Sequence, residues 1–534
     1  MLKIFLPLQT ELKVAKMNMG MSRGSRNTKN KKCTCQNGCE KYFDEYCDST
    51  SIHGFKYLAE KRSLGERLLW LIVITCALCS CGYMISKIYA KYNESPIIVS
   101  FATKESPIYT IPFPAITICP ITKAKKSLFN YTDFLTRPHN RTEQEKRYGK
   151  YMSYVCGSNK LFKNETYFTD DIYEALDEIK IPVDQFMENC SFMESPGQCS
   201  WFFSPIILDQ SICFTFNMLE RQHIYRNNVV QFYDEFIAYE TNWTVEKGYS
   251  GGNGIIRPFR AYLAGAENSL DVILHNSYSD LDHLCAKHVQ GFSVTVHAPF
   301  SIPQVRQQYF TVPFDTVMNA VVSPVVMSTS AKVKQYSPKA RECYFSTEKH
   351  LKYFQIYAPR NCKLECITNF TLKYCGCVSF HMPRENGTRI CGNAKLGCVK
   401  KAELALKEQQ LEIQIFQEGM DFFCDCKPLC TDITYQVEPS QSPWYHETKP
   451  TTTNSPYFNR THYARLNIYF KQDSFLTSER NELYGPTDFL ANFGGLLGLF
   501  TGFSLLSAAE IVYFLSIRLF CNFRLFRRWT GPEN

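Results

Sequence analysis

Two long apolar runs stand near the two ends of the chain and frame what lies between them. Leu68 to Ser86 is a charge-free stretch of 19 residues, and Phe489 to Ile517 is a stretch of 29 residues carrying one formal charge, Glu510. At about 1.5 Å per helical residue both can cross a hydrocarbon core of about 30 Å, and the second overspans it. A tilted or broken membrane helix is expected there. Gly494, Gly498 and Gly502 recur every four residues, which a continuous helix places on one face where backbones approach closely. Ser504 sets a hydroxyl at mid-membrane. The Glu510 carboxylate, costing about 2.5–3.5 kcal/mol at that depth on insertion scales, is expected to face a water-filled path or a partner. The competing reading is a single-pass anchor with a glycine packing seam.

Between the runs the patterning is mixed. Ile116 to Ile118, Cys213 to Phe216, Ser293 to His297 and Ala464 to Phe470 alternate with β-branched and aromatic residues and predict strands. Val399 to Met420, rich in Ala, Leu, Glu, Lys and Gln, predicts a helix. Thr169 to Ile181 predicts a shorter one, with Asp170 and Asp171 in its first turn and Pro182 past its end. Gly248–Gly254 and Pro439–Pro456 read as loops.

Flanking charge gives the runs a direction. Arg62 and Arg67 precede the first, and Arg518, Arg524, Arg527 and Arg528 follow the second, so the positive-inside rule puts both termini in the cytoplasm. The opening MLKIFLPL is too short to be a signal peptide. The expected organisation is a cytoplasmic segment 1–67, a first span 68–90, an extracellular domain 91–486, a second span 487–518 and a cytoplasmic tail 519–534. N-glycosylation sequons begin at Asn130, Asn140, Asn164, Asn189, Asn242, Asn369, Asn386 and Asn459, all inside the extracellular segment.

Composition changes this picture in one respect. Of 24 cysteines, 16 fall between Cys119 and Cys430, which implies an oxidising compartment and a disulfide-rich α+β ectodomain. Past Cys343 the spacing is nearly mirror-symmetric: Cys362-x3-Cys366 and Cys375-x-Cys377 on one side, Cys424-x-Cys426-x3-Cys430 on the other. The symmetry suggests two antiparallel limbs joined by Cys362–Cys426 and Cys366–Cys424, with Cys343–Cys430 outermost, although counting alone leaves other pairings open. Cys33, Cys35, Cys39 and Cys47 fit no standard zinc spacing, so no metal or cofactor is expected. The net charge of +8 is dispersed, without the basic and aromatic clustering of a nucleic-acid surface. No nucleophile motif or phosphate loop argues for an enzyme.

At this point the chain resembles the degenerin/epithelial sodium channel family, and within it the invertebrate pickpocket branch. Four stretches carry the resemblance: Ser51-Ile52-His53-Gly54 before the first run, Phe113 to Cys119 after it, Asn361 to Pro383 (NCKLECITNFTLKYCGCVSFHMP), and GLFTGFSLLSAAE in the second run. The resemblance implies a two-pass trimer whose ectodomain forms a palm, β-ball, knuckle, finger and thumb, the thumb covering about 343–430. His53 and Gly54 match its gating motif, and Gly502, Phe503 and Ser504 its selectivity filter. Ala491, Asn492, Gly494, Gly495, Gly498 and Glu510 fall at its pore and gate. Ala491 stands at the small-residue position where bulk favours open channels, and Asn492 replaces an aspartate of acid-sensing relatives. The resemblance supplies the three proposed rungs and adds Cys375–Cys398, Cys377–Cys391, Cys119–Cys213 and Cys190–Cys199. Cys156 and Cys285 have no counterpart in the acid-sensing pattern, and parity alone suggests that they pair. Acid-sensing relatives also carry a tryptophan before the first thumb cysteine, where this chain has Ala340-Arg341-Glu342.

The function so implied is a subunit of a gated, sodium-selective, amiloride-sensitive cation channel of the plasma membrane. It would work as a homo- or hetero-trimer with related subunits in membrane lipid, with Na⁺ as permeant ion and no cofactor. Three other readings stay open: an auxiliary subunit that conducts only with partners, a two-pass receptor glycoprotein, and a purinergic-type ATP-gated channel. The last is suggested by Asn522-Phe523-Arg524, which lies on the expected cytoplasmic side.

Overall fold

The computed structural model describes residues 35–60, 63–94, 97–137, 139–157, 161–233, 241, 243–250, 257–282, 284–285, 289–416, 424–445 and 461–526. The chain divides into a terminal unit, Met1–Ala90 with Pro486–Asn534, and a central unit, Lys91–Gly485.

The central unit is built on two sheets. The larger has eight strands in the order Ile97–Phe101, Ser478–Glu482, Thr316–Thr329, Thr461–Phe470, Leu270–Ser277, Met187–Phe192 and Ser195–Pro196, with Asp432–Pro443 also paired to Thr316–Thr329. Period-two patterning sets its register. Leu270, Val272 and Leu274 lie opposite Ile468, Leu466 and Ala464, and all six are buried. The smaller sheet runs Phe310–Val312, Phe292–His297, Ala115–Pro120, Ser211–Phe216 and Phe203–Leu208. Ala115–Pro120 and Ser211–Phe216 are buried at every position, so both faces of this sheet are covered. Some of the polar groups inside pair with one another. The Thr117 hydroxyl donates to Thr215 Oγ1 at 3.1 Å and lies 2.9 Å from His297 Nε2. Burial pulls His297 down to about 3, which keeps the ring neutral.

Helices sit against these sheets. Glu143–Val155 begins with a capping box between Thr142 and Glu145, and its Arg147 pairs with Asp171 and Glu178 of Asp171–Ile179. Two longer helices, Pro359–Cys375 and Leu396–Phe416, contact each other. The second starts three residues ahead of the expected Val399, and Gln417 to Met420 lie outside the described residues.

Eight disulfides close in the central unit: Cys119–Cys213, Cys156–Cys285, Cys190–Cys199, Cys343–Cys430, Cys362–Cys426, Cys366–Cys424, Cys375–Cys398 and Cys377–Cys391. Of the two limbs read from the cysteine spacing, one is the helix Pro359–Cys375, where Cys362 and Cys366 lie one turn apart. The other is the segment Cys424–Cys430, which meets the first rung through a bridge between Tyr344 and Leu429. A buried Glu365 braces the helix by accepting the amides of Lys352 and Tyr353, each at 2.8 Å.

Two sequence expectations change here. Pro439–Pro443 is not loop but the end of Asp432–Pro443, paired antiparallel with Thr316–Ala320. Its prolines and serines carry turn propensity, and long-range pairing at an outer strand overrides it. Gly248 and Tyr249 pair with Thr244 and Trp243 as a short ribbon, and residues 251–254 lie outside the described residues.

The terminal unit is helical: Cys35–Ser49, Phe55–Ala59, Leu64–Glu94, Pro486–Thr501, Leu505–Val512, a π-helical stretch Tyr513–Arg518, and Leu519–Phe526. Leu68, Leu69, Ile72, Leu499, Leu505, Leu506 and Leu515 all point outward, the reverse of the central unit. That arrangement suits a hydrocarbon surround rather than water. Two stretches are long and apolar enough to cross a membrane, Leu64–Asn93 and Leu505–Leu525.

Candidate functional site

The second apolar run does not form one helix, and the way it breaks builds the site. Pro486–Thr501 ends at Gly502, whose φ of +68° is left-handed backbone that favours glycine, with its amide donating to Gly498 O at 2.9 Å. The glycine row expected on one helical face therefore stops at Gly498, because Gly502 is the cap and not part of the face. Ser504 then opens the next helix, Leu505–Val512, through a reciprocal cap with Ser507: Ser507 N donates to Ser504 Oγ at 3.2 Å, and Ser504 N to Ser507 Oγ at 3.1 Å.

The amides that would continue the first helix are turned elsewhere. Phe503 N donates to Leu497 O at 3.4 Å and Ser504 N to the Ser507 hydroxyl, so the carbonyls of Leu499 and Phe500 leave the helical ladder. Unpaired carbonyls at membrane depth are tolerated only beside water or protein, and a ring of such oxygens is one way to replace the hydration shell of a cation.

The segment before the first long helix completes the site. His53 N donates to Thr501 O at 3.0 Å, and the His53 ring lies on Gly502 so closely that a Cβ there would sit 2.5 Å from Nδ1. Gly54, at φ +91°, turns the chain into Phe55–Ala59, whose Tyr57 stacks on Trp70 with ring centroids 4.3 Å apart. Ser51 Oγ is 2.7 Å from Ser507 Oγ, and Ser51 N and Oγ donate to Glu510 Oε2 at 3.3 and 3.2 Å. Farther along, the Tyr42 hydroxyl donates to Phe514 O at 2.5 Å, inside the π-helical stretch, and Glu45 pairs with Arg518.

The structure thus gathers His53, Gly54, Gly502, Ser504 and Glu510. Phe503 turns aside and lines an apolar cavity of about 410 Å³ with Trp70, Val73, Ile74 and His53. Ala491, Asn492, Gly494 and Gly495 lie apart from this cluster on exposed parts of Pro486–Thr501, Gly498 touches it only through its carbonyl, and the Asn492 side-chain amide donates to Asp488 O at 2.8 Å. Sequence reasoning did not single out Tyr42, Ser51, Thr501 or Ser507. For Ser507 a signal existed, a serine three residues after Ser504 at the start of an apolar run, which is a capping pattern.

Of the sequons, Asn140, Asn164, Asn189 and Asn386 are exposed and Asn130 and Asn369 half-buried; Asn242 and Asn459 lie outside the described residues. The described residues contain no cluster of His, Cys, Asp or Glu able to hold a metal ion.

A helical unit with outward apolar side chains, a glycine-broken segment and a disulfide-rich sheet domain defines a class of membrane protein. The chain belongs to the amiloride-sensitive sodium channel family, whose pattern matches residues 46–514. It is 28% identical to pickpocket protein 28 of Drosophila melanogaster over 90% of this chain and 79% of that protein. It is 23% identical to sodium channel protein Nach of the same fly over 90% and 88%, and 21% identical to the human bile acid-sensitive ion channel over 92% and 90%. These likenesses support the pickpocket branch, and the family is one of membrane ion channels, not enzymes.

Proposed function

We propose that the chain is a subunit of a gated, sodium-selective, amiloride-sensitive cation channel of the plasma membrane. The observation that carries the reading is the break at Gly502-Phe503-Ser504, which frees carbonyls of Leu499 and Phe500 in the middle of an apolar run. In this reading three copies, of this chain or of related subunits, bring their Pro486–Thr501 helices together. The exposed small residues Ala491, Gly494, Gly495 and Gly498 allow close approach, and Glu510 raises the cation concentration beyond the constriction. Both termini are cytoplasmic and residues 91–486 extracellular. Phe503, packed on the side of the first long helix, leaves the ion path to backbone oxygens and to Ser504.

The test is whole-cell current in oocytes expressing Ala491→Val, with sodium exchanged for a large organic cation and amiloride added. A sodium-dependent, amiloride-blocked current is the expected result. Absence of current at confirmed surface expression, both alone and with pickpocket-type subunits, overturns the conducting reading in favour of a receptor glycoprotein.

A further inference from the structure

The central unit holds a cavity of about 490 Å³. It lies between the end of helix Glu143–Val155, the first turns of Leu396–Phe416 and the edge of the five-stranded sheet. Much of its wall is apolar, from Tyr309, Phe380, Leu396 and Val399, with the Cys156–Cys285 disulfide at one side.

One charged group in this wall makes no direct ion pair, although Asp209 lies near enough to attract it. Lys123 Nζ donates to Pro120 O at 2.8 Å and to Gln210 Oε1 at 3.3 Å, both neutral acceptors. The carboxylate next to it, Asp209, is taken by Arg306, with Nε to Oδ2 at 3.1 Å and Nη2 to the Asp209 carbonyl at 2.9 Å. Glu403, also in the wall, has Lys400 and Lys407 one turn either side of it on its own helix. Burial pulls Lys123 down to about 7, with the nearby Arg306 adding to the shift and the Asp209 carboxylate offsetting only part of it. His381, held to about 4 by burial, is neutral, with Nδ1 3.2 Å from the Ser379 hydroxyl.

We propose that this cavity binds a small organic monoanion, its carboxylate on the Lys123 ammonium and its apolar body along Phe380, Leu396 and Val399. A cationic ligand would meet Lys123, Arg306 and Lys400 around the same space. A dianion such as phosphate would find one ammonium without an ion pair, a carboxylate near it and apolar walls. A monoanion with a hydrophobic body satisfies both features.

The experiment uses the full chain in lipid nanodiscs at pH 6.5, titrated with 4-phenylbutyrate and, as the neutral isostere, 4-phenylbutyramide, with binding followed by ligand-observed NMR. The wild type is expected to bind the acid saturably and at least about ten-fold more tightly than the amide, the size of one charge-assisted hydrogen bond. Lys123→Met should lose about that factor, and Val399→Trp, filling the cavity from the opposite wall, should block the acid. Each variant is compared with the wild type by thermal unfolding. If Lys123→Met does not fold, Val399→Trp and the amide decide the matter. No saturable binding of the acid, equal affinity for the amide, or wild-type affinity in the folded variants overturns the proposal. The readout involves no current, so either result leaves the channel reading intact.

Discussion

Two helices in this protein end in the same way and are held in opposite ways. Pro359–Cys375 in the central unit and Pro486–Thr501 in the terminal unit each finish at a left-handed glycine, Gly376 at φ +73° and Gly502 at φ +68°, whose amide returns to the carbonyl four residues back at 2.9 Å. Beyond Gly376 the chain is stapled by Cys375–Cys398 and Cys377–Cys391, and nothing lies within 4 Å of the place a Cβ would occupy. Beyond Gly502 the fastenings among the described residues are non-covalent: hydrogen bonds, the Glu45–Arg518 ion pair, ring contacts to Phe514 and the His53 ring, whose nitrogen would be 2.5 Å from such a Cβ. One end is fixed by covalent bonds, the other by contacts that can be made and broken. Covalent staples suit a strut. Side-chain caps worth about 1 kcal/mol each suit an element that must change state.

The sharpest way to break this comparison is to give both glycines the same methyl group. Gly502→Ala meets a left-handed backbone cost of about 1–2 kcal/mol and the His53 ring together, so a loss above about 3 kcal/mol is expected, read as collapse of surface expression or of current. Gly376→Ala meets the backbone cost alone, the same about 1–2 kcal/mol, and should shift thermal unfolding by the smaller amount. Equal effects at the two sites would remove the distinction. Next in size, removing one rung as the double variant Cys362→Ser/Cys426→Ser should cost about 2–4 kcal/mol in thermal unfolding of the central unit. It should not abolish folding, since seven bridges remain of the eight.

A third effect separates the units by pH. His297 is buried neutral with its pKa lowered to about 3, against about 6.5 in the unfolded chain, so the unfolded state binds the extra proton as pH falls. The stability it contributes is complete above about 6.5 and is lost progressively as pH drops toward 3. At pH 5 the loss is about 2 kcal/mol, measured as the change in unfolding temperature between pH 7 and 5. His297→Gln should flatten that part of the profile, and an unchanged slope would assign the pH response elsewhere. The smallest effect tests the membrane side. Ser507→Ala removes the hydroxyl that Ser51 and Ser504 share, and should cost about 1–2 kcal/mol, read as altered resting current on the Ala491→Val background. A resting current identical to that of Ala491→Val alone would show that the cap does not set the state of the break.

Much of the central unit is legible in the sequence because its signals are local. Ala464 to Phe470 alternates and becomes part of a half-buried strand, while Cys213 to Phe216 is nearly unbroken in apolar residues and becomes part of one covered on both faces. The mirrored cysteine spacings already suggest the three rungs, since two cysteines at i and i+4 on a helix can meet two on a facing segment. The remaining pairs needed the family resemblance, and Cys156–Cys285 rested on parity alone, because a separation of 129 residues leaves no local trace. The helix Cys35–Ser49 went unread. Its apolar stripe, Tyr42, Phe43, Tyr46 and Cys47, is short and set in an otherwise polar stretch, and its partners Phe514 and Arg518 lie more than 450 positions away.

By itself, then, the amino-acid order determined what depends on neighbours a few positions apart: two runs long enough for a membrane, the strand and helix periods between them, a glycine and a serine where the second run can break, and cysteines in an oxidising domain. Tertiary structure alone decided that Gly502 caps a helix instead of lying on its face, that His53 covers it, that Ser51 reaches Ser507 and Glu510, and that Lys123 faces a cavity without a direct ion pair. The physical reason is range. Period and apolar length act within one element, whereas these meetings join positions more than 400 residues apart in the terminal unit and many separate segments in the central one. No local preference encodes where such paths cross.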